Sequence, residues 1–381
     1  MTAEIIFLAA MTLAAYHYAV YPLAALFLAR LKGAKAGLSG PDQWPSVTLV
    51  VAAFNEEKVI ASKLENALAL SYPPAKLDIV VVADGSTDRT AEIVRSFTDP
   101  RVRCLHDPRR RGKSHALNRA VETTSAAVVL LSDANNRYSL NAIEVLVTRL
   151  MQPGVGGVSG AKRIVPDATR AASTGDGLYW RYETRIKEAE SAIGGTVTAD
   201  GEIFALHRRL YAEIPPDIIN DDMYLTFRVV SAGYRIEFDP TAVAVEEGSI
   251  TIRDDFNVKV RMISGGFQGV MQDWRTVFAS GWFSVRFFSH KILRWLMPVI
   301  LATILVSNLW LLSRTLYMWI FAGQLAFYAL AAVGWEMQRR NRHALWSYVP
   351  FYFVAMNLAA AVAIGRFIRG GHSALWAKAE R

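Results

Sequence analysis

Hydrophobic positions follow two different patterns along the chain. At both ends they form long unbroken runs. In between they alternate with polar positions at the periods of strands and helices. The first run, Ile5 to about Ala29, is almost wholly apolar and long enough to cross a hydrocarbon core of about 30 Å. From Val47 the pattern becomes that of a soluble α/β domain. Val47–Ala53 reads as a buried strand ending at Phe54-Asn55-Glu56-Glu57, and Val59–Leu70 has helical spacing stopped by Tyr72-Pro73-Pro74. Leu77–Ala83 is a second strand running into Asp84-Gly85-Ser86-Thr87-Asp88, followed by a helix from Thr90 to Phe97. Arg101–His106 is a weaker third strand, and a helix from Ser114 to Glu122 follows it. Val128–Leu131 is the fourth strand and leads into Ser132-Asp133-Ala134-Asn135-Asn136. Tyr179–Ala192 is an amphipathic helix whose charged face is expected to serve solubility. Apolar runs return at about Ile292–Leu312, Leu316–Trp335 and Ala344–Gly365.

Strand–helix alternation with acids at the strand ends indicates a doubly wound, nucleotide-binding half, with the ligand at the carboxyl edge of the sheet. The organisation expected is an N-terminal anchor at 1–30, a linker at 31–45 and a catalytic domain at 46–250. Amphipathic interfacial helices would occupy 251–291, about three transmembrane helices 292–366, and a basic tail 367–381.

Charge fixes the expected orientation. The formal net charge is +8, but no aromatic-and-basic RNA motif or zinc finger accompanies it, so nucleic acid is not the expected partner. The cations instead flank the apolar runs. Arg30, Lys32 and Lys35 follow the first, and Arg339, Arg340 and Arg342 follow the third. This places the domain on the cytoplasmic side of an inner or plasma membrane, behind an uncleaved anchor. Three C-terminal crossings would leave the basic tail outside, against the same rule; either one segment is re-entrant or the tail breaks it. The single cysteine, Cys104, excludes an internal disulfide.

The end of the fourth strand carries the first chemical signal. Asp133 and Asn135 are two apart, and a strand in ordinary register would point both the same way. Such an oxygen pair suits Mg²⁺ or Mn²⁺ bridged to phosphates; a strand-to-turn cap is the plainer alternative. Two familiar phosphate motifs fail. Gly112-Lys113-Ser114 lacks the leading glycine of a P-loop, since position 107 is Asp, and no Gly-x-Gly-x-x-Gly follows the first strand. Acids, an amide and a Lys/Arg cluster at neighbouring strand ends remain, as a nucleoside diphosphate with a divalent metal would require.

Four stretches in order carry a family likeness: Ala52-Ala53-Phe54-Asn55-Glu56-Glu57, Asp84-Gly85-Ser86-Thr87-Asp88, Gly112-Lys113-Ser114-His115-Ala116-Leu117-Asn118, and Asp133-Ala134-Asn135. Together they resemble the family 2 glycosyltransferases, inverting enzymes of the GT-A fold. The likeness is strongest to the membrane branch of cellulose, hyaluronan and poly-N-acetylglucosamine synthases. It implies a GT-A domain with flanking transmembrane helices and a UDP-sugar donor. By resemblance Ala53, Asn55, Glu56 and Asp84 belong to the nucleotide-sugar site, with Asp84 on the uracil. Lys113 would meet the diphosphate. Asp133 matches the first acid of the family's metal motif, and Asn135 replaces the second. Gly201, within Thr198–Arg209, matches a strand that closes the donor pocket and fits a close backbone approach.

Asn220-Asp221-Asp222-Met223 occupies the place of the family's Thr-Glu-Asp motif, which makes Asp222 the general base. Asp221 beside it would raise a pKa by like-charge repulsion, and helix capping is the structural role the same residues would serve. Val258-Lys259-Val260-Arg261-Met262 corresponds to the polymerising relatives' Gln-x-x-Arg-Trp. Arg261 is retained, whereas Val258 and Met262 replace the Gln and the acceptor-stacking Trp. Trp274 and Trp282 are read as anchors in the headgroup layer, with apolar surface at the acceptor entrance as the alternative. The implied activity is extension of a β-linked exopolysaccharide, with a lipid or lipid-linked acceptor as the alternative. A non-catalytic nucleotide-sugar sensor is the reading from another class. Membrane lipids, and a secretion partner or homo-oligomer, complete the partners this reading allows.

Overall fold

The structure, a computed structural model, describes residues 1–33, 38–165, 171–247, 251–340, 342 and 344–370. Part of the expected linker (34–37) and the basic tail from 371 onward lie outside the described residues.

The centre is one eight-stranded sheet: β1 (Val47–Ala53), β2 (Leu77–Asp84), β3 (Val102–Asp107), β4 (Val128–Asp133), β5 (Arg137–Tyr138), β6 (Val155–Val165), β7 (Phe204–His207) and β8 (Arg235–Glu247). Their spatial order is β3-β2-β1-β4-β7-β6-β8-β5. The first four strands are parallel, and β7 runs antiparallel between β4 and β6. The apolar runs that predicted strands are those buried on both faces: Leu49, Val50, Ile79, Val80, Val129 and Leu131 are almost fully inaccessible.

The helices are α1 (Thr2–Ala15), α2 (Tyr21–Lys32), α3 (Ile60–Leu68), α4 (Thr90–Arg95), α5 (Lys113–Glu122), α6 (Ala142–Leu150), α7 (Ala171–Ile193) and α8 (Asp221–Ser231). Then follow α9 (Ile252–Gln272), α10 (Trp274–Ala279), α11 (Trp282–Phe287), α12 (Leu293–Leu309), α13 (Thr315–Arg339) and α14 (Leu345–Ile368). Helices α3 and α6 cover one face of the sheet through Ile60, Leu64, Ile143 and Leu146. Helices α5 and α8 cover the other through Ala116, Leu117, Leu225 and Val229.

Four helices are long and apolar enough to cross a membrane: Thr2–Lys32, Trp282–Leu309, Thr315–Arg339 and Leu345–Ile368. The first two each contain a π-helical turn, Tyr16–Val20 and Phe288–Ile292. The second begins at Trp282, ten residues before the expected Ile292. Residues 282–291 continue that helix because Phe283 and Phe287 bury against Phe227 of α8.

Candidate active site

Strand register brings the site together. Ala52 pairs with Asp133 and Ala53 with Ala83, so the carboxyl ends of β1, β2 and β4 are level. Helix α5 starts directly after Gly112, whose φ of 98° places it in the glycine-favoured region. From its first turn Lys113 reaches across β4. Its Nζ lies 2.9 Å from Asp133 Oδ1 and 3.4 Å from Asp221 Oδ2. Asp221 and Asp222 open α8, where the helix dipole favours anions. Asp222 accepts hydrogen bonds from the Met223 N–H (2.7 Å) and the Gly201 N–H (3.3 Å). A Cβ at Gly201 would stand 3.4 Å from Asp222 Cβ and 3.5 Å from Lys113 Nζ, so this backbone lies directly on the charged cluster. Gly201 is in the turn before β7, not in the strand itself.

The cluster divides proton and charge roles. Burial works against charge on Lys113, but Asp133 and Asp221 outweigh it and raise its pKa, so it stays a cation. Burial, then the charge of Asp221, pushes the Asp222 carboxyl up to about 6, with Lys113 opposing.

The loops after β1 and β2 interlock behind this cluster. Asn55 adopts a positive φ of 54°; its Oδ1 accepts from the Thr87 N–H (2.9 Å), and its own N–H donates to Ser86 Oγ (3.2 Å). The Glu56 N–H donates to Thr90 Oγ1 at 2.8 Å. Asp84 accepts from the N–H groups of Arg111 (3.0 and 3.1 Å) and Gly112 (2.7 Å), so its carboxylate holds the loop that delivers Lys113. Ala53 is buried beneath them. Arg110 covers the Phe54 ring at 3.8 Å.

The register argument that paired Asn135 with Asp133 does not hold. Strand β4 ends at Asp133 and the chain turns, so Asn135 Nδ2 points to Glu246 Oε2 at 3.4 Å. Among the described residues no group of three His, Cys, Asp or Glu side chains is arranged to hold a metal ion. Asp133 alone of the two expected ligands lines the cavity. That fits an ion of the Mg²⁺ class, which takes one or two carboxylates and completes its shell with substrate phosphates and water.

Several charged groups here were missed in the sequence. Lys63 is fully buried behind Asp133, donating to Ser132 Oγ (2.7 Å) and Asn136 Oδ1 (2.6 Å); burial lowers its pKa to about 7. Its position between Ile60, Leu64 and Ala67 on an apolar face was the one available signal. Lys162 bridges Glu202 (2.5 Å) and Glu246, and Glu202 is pushed up to about 7 by burial first and Glu246 second. The expectation that the charges of α7 serve solubility is overturned. Glu183, Lys187 and Glu190 are almost inaccessible, and only Arg181, Arg185 and Glu188 of its charged residues after Trp180 are exposed. Glu183 meets His290 (3.1 Å), Arg294 (2.7 Å) and Lys291, while Glu190 meets His290 (2.9 Å) and Tyr21.

A cavity of about 690 Å³ runs from Lys113, Asp133 and Asp222 past Arg261 and Met262 to α12 and α14. Trp180 of α7 lines it.

The model for the family described as "Glycosyltransferase like family 2" matches residues 45–265, more than half of the chain. The poly-β-1,6-N-acetyl-D-glucosamine synthase of Staphylococcus aureus (strain COL) is 24% identical over 282 residues, 73% of this chain and 65% of that protein. The match thus spans just under two thirds of that relative's length. A Bacillus subtilis (strain 168) protein named "Probable glycosyltransferase YdaM" is 32% identical over 218 residues, 53% of this chain and 51% of that one. Among solved structures, the mannosyltransferase PcManGT from Pyrobaculum calidifontis, in complex with GDP-Man and Mn²⁺, aligns with a TM-score of 0.72. It is 24% identical, with 95% of this chain and 99% of that chain covered, a likeness that bears on the fold.

Proposed function

The chain belongs to the glycosyltransferase-like family 2, with the GT-A fold, and from that membership we propose an inverting sugar transfer with Asp222 as the base. The observation that carries this is the placement of Asp222. It is poised near neutrality at a helix start and shares one cavity with the cation Lys113. A base with a pKa near the working pH combines availability with driving force. Asp222 takes the proton of the acceptor hydroxyl, and that oxygen forms a bond to the anomeric carbon. The bond from that carbon to the diphosphate oxygen breaks on the opposite face, and the nucleoside diphosphate leaves with the electron pair. Lys113 and Arg261, both on the cavity wall, offset the charge that departs. Inversion at an α-linked donor gives a β-linkage. Mg²⁺ or Mn²⁺, held by Asp133 together with the diphosphate, would supply further charge neutralisation there.

The donor we favour is a UDP-sugar, with Ala53, Asn55, Glu56 and Asp84 shaping the nucleotide side and Gly201 closing it. The acceptor suggested by the synthase relatives is a growing exopolysaccharide, and Trp180, with Lys162 and Lys259 over its ring at 5.1 and 5.3 Å, lines the same cavity as Met262, which replaces the family's Trp. A lipid-linked acceptor is the second reading, favoured by the extension of the cavity to α12 and α14. Arg30, Lys32, Arg339 and Arg340 lie at the same ends of their helices as the catalytic domain, which supports a cytoplasmic active site.

The test is transfer by the full chain in nanodiscs with native lipids, Mn²⁺ and radiolabelled UDP-glucose, UDP-GlcNAc, UDP-galactose, UDP-glucuronate or GDP-mannose. Transfer by the wild type that Asp222→Asn abolishes while it still binds the donor nucleotide is the expected result. Nucleotide binding without transfer from any donor would leave only the sensor.

A further inference from the structure

Helix α14 is long and apolar enough to cross a membrane. A crossing would carry Arg366 and Arg369 to the face opposite the catalytic domain, against the tendency of cations to stay on one side. Its packing on α9 argues against that path. Helix α14 runs beside α9 along its length and in the same direction. Tyr352 Oη donates to Asp255 Oδ2 at 3.1 Å, Val260 packs against Ala359 and Ala363, and the rings of Phe267 and Phe367 are 5.3 Å apart. Helix α9 is itself seated on the catalytic domain. Asn220 Nδ2 donates to Met262 O at 2.8 Å, and a Cβ at Gly265 would meet Asn220 Oδ1 at 2.7 Å. Its first half also carries Arg253, Asp254, Asp255, Lys259 and Arg261, which exclude that half from hydrocarbon. A helix bound lengthwise to it stays at the same depth.

The spans measure that depth. Glu4 binds Arg314 (2.6 Å) and Tyr317 (2.9 Å), and Phe7 packs with Ile304 of α12 and Tyr317 of α13, which ties three spans together at the end far from the catalytic domain. At 1.5 Å per residue, Tyr18 lies about 21 Å from Glu4, Trp295 about 21 Å from Leu309 and Phe327 about 18 Å from Thr315 along their helices. Phe353 touches Tyr18 (5.5 Å) and Phe327 (5.5 Å). Phe367 reaches Trp295 through Phe267, in steps of 5.3 and 5.4 Å. Phe353 and Phe367 are about 21 Å apart along the helix, yet each neighbours residues well removed from the Glu4 end. An upright α14 would have brought Phe367 near Arg314.

We infer that α14 lies in the plane of the leaflet facing the catalytic domain, across the membrane side of the cavity, and that the site takes an acceptor carried by a lipid of that leaflet. The second half rests on the glycosyl-transfer reading above. One face of α14 lines the cavity with Tyr348, Tyr352, Met356 and Ala360, while Trp346, Leu358 and Val362 are exposed, as a bilayer-facing surface requires. A headgroup entering sideways meets acids and cations at the Asp222 end and aromatic and apolar walls at the α14 end, the polarity order of a lipid head and tail. Its hydroxyl then gives its proton to Asp222 and forms the new bond, and the nucleoside diphosphate departs as described.

The experiment uses the full chain with Cys104→Ser as background and one cysteine restored at Ser313→Cys, Arg340→Cys or Arg369→Cys. Each variant is treated with a membrane-impermeant maleimide before and after permeabilisation. Arg369→Cys is expected to label together with Arg340→Cys, on the face opposite Ser313→Cys. Labelling of Arg369→Cys together with Ser313→Cys would overturn the in-plane helix. In parallel, label from the radioactive donors is expected in the chloroform–methanol extract. Label confined to a water-soluble polymer would overturn the lipid-borne acceptor. No transfer from any donor would overturn the glycosyl-transfer reading and the acceptor with it, while the maleimide result still decides the position of α14.

Discussion

Glu183→Gln should destabilise the protein far more than a surface substitution on the same helix. Glu183 is 1% exposed and faces Lys291, His290 and Arg294. Burial opposes its charge, but these three groups outweigh burial and hold the carboxyl well below its usual 4.5. Glutamine keeps the size and removes the charge, which leaves cations buried against an amide. Breaking a buried pair in this way costs about 3–5 kcal/mol. Lys291 and Arg294 keep some water, with side chains 12% and 22% exposed, so the lower end applies, about 3 kcal/mol. The comparison is Glu188→Gln, exposed on the same helix and expected to stay within about 0.5 kcal/mol. The readout is thermal unfolding of the full chain in nanodiscs, followed by tryptophan fluorescence. The sign with pH follows from the lowered pKa. The stabilisation is fully present above the ordinary carboxylate range and is lost as pH falls through the folded value, so the deficit of Glu183→Gln should be complete at pH 7 and shrink only in acid. Equal melting of Glu183→Gln and Glu188→Gln would refute the reasoning.

Asp222→Asn should lower the transfer rate by about 10²–10⁴ with donor binding retained. The active form of this base is the carboxylate, so wild-type kcat should climb as pH rises through about 6; a flat profile from pH 5 to 8 would remove Asp222 from the proton step. Gly201→Ala places a methyl in van der Waals contact with Asp222 and Lys113. It should leave the melting temperature unchanged while raising the donor KM, measured by initial rates. Lys63→Met strips the donor from Ser132 and Asn136 behind Asp133, at about 1–3 kcal/mol. A raised donor KM together with a lowered melting temperature is expected, and wild-type values for both would show that Lys63 positions nothing.

The donor half of the site was legible because it is built from local signals. Apolar runs buried on both faces become β1, β2 and β4, and their last residues, Asp84 and Asp133, must emerge at one edge once the strands pair in parallel. Asp222 was legible as a residue opening a helix. The shared direction of Asp133 and Asn135 was misread because period-two alternation was carried past the end of β4. Helix α7 was misread for a different reason. Glu183, Lys187 and Glu190 make a stripe that periodicity reads as a solvent face, since a pattern names a face and not its neighbour. The neighbours, His290, Lys291 and Arg294, arrive a hundred residues later. Lys63 is the converse: a cation on the apolar face of α3, silent until Ser132 and Asn136 come beside it.

Acceptor selection follows from the same division. The cavity wall beyond Asp222 is assembled from Tyr18 of the first span, Trp180 of α7, Trp295 of α12 and Tyr352 of α14. No two of them are neighbours in sequence, and three lie outside the stretch that matches the family. Family membership therefore speaks for residues 45–265, whereas the cavity wall beyond Asp222 depends on how the apolar helices dock on that domain. Glu183 fixes α12 against α7, and Asp255 holds Tyr352 against α9. Lys113 and Asp133 stand on the sheet side of the cavity, whereas Asp222 opens α8, against which Phe283, Phe287 and Trp295 pack.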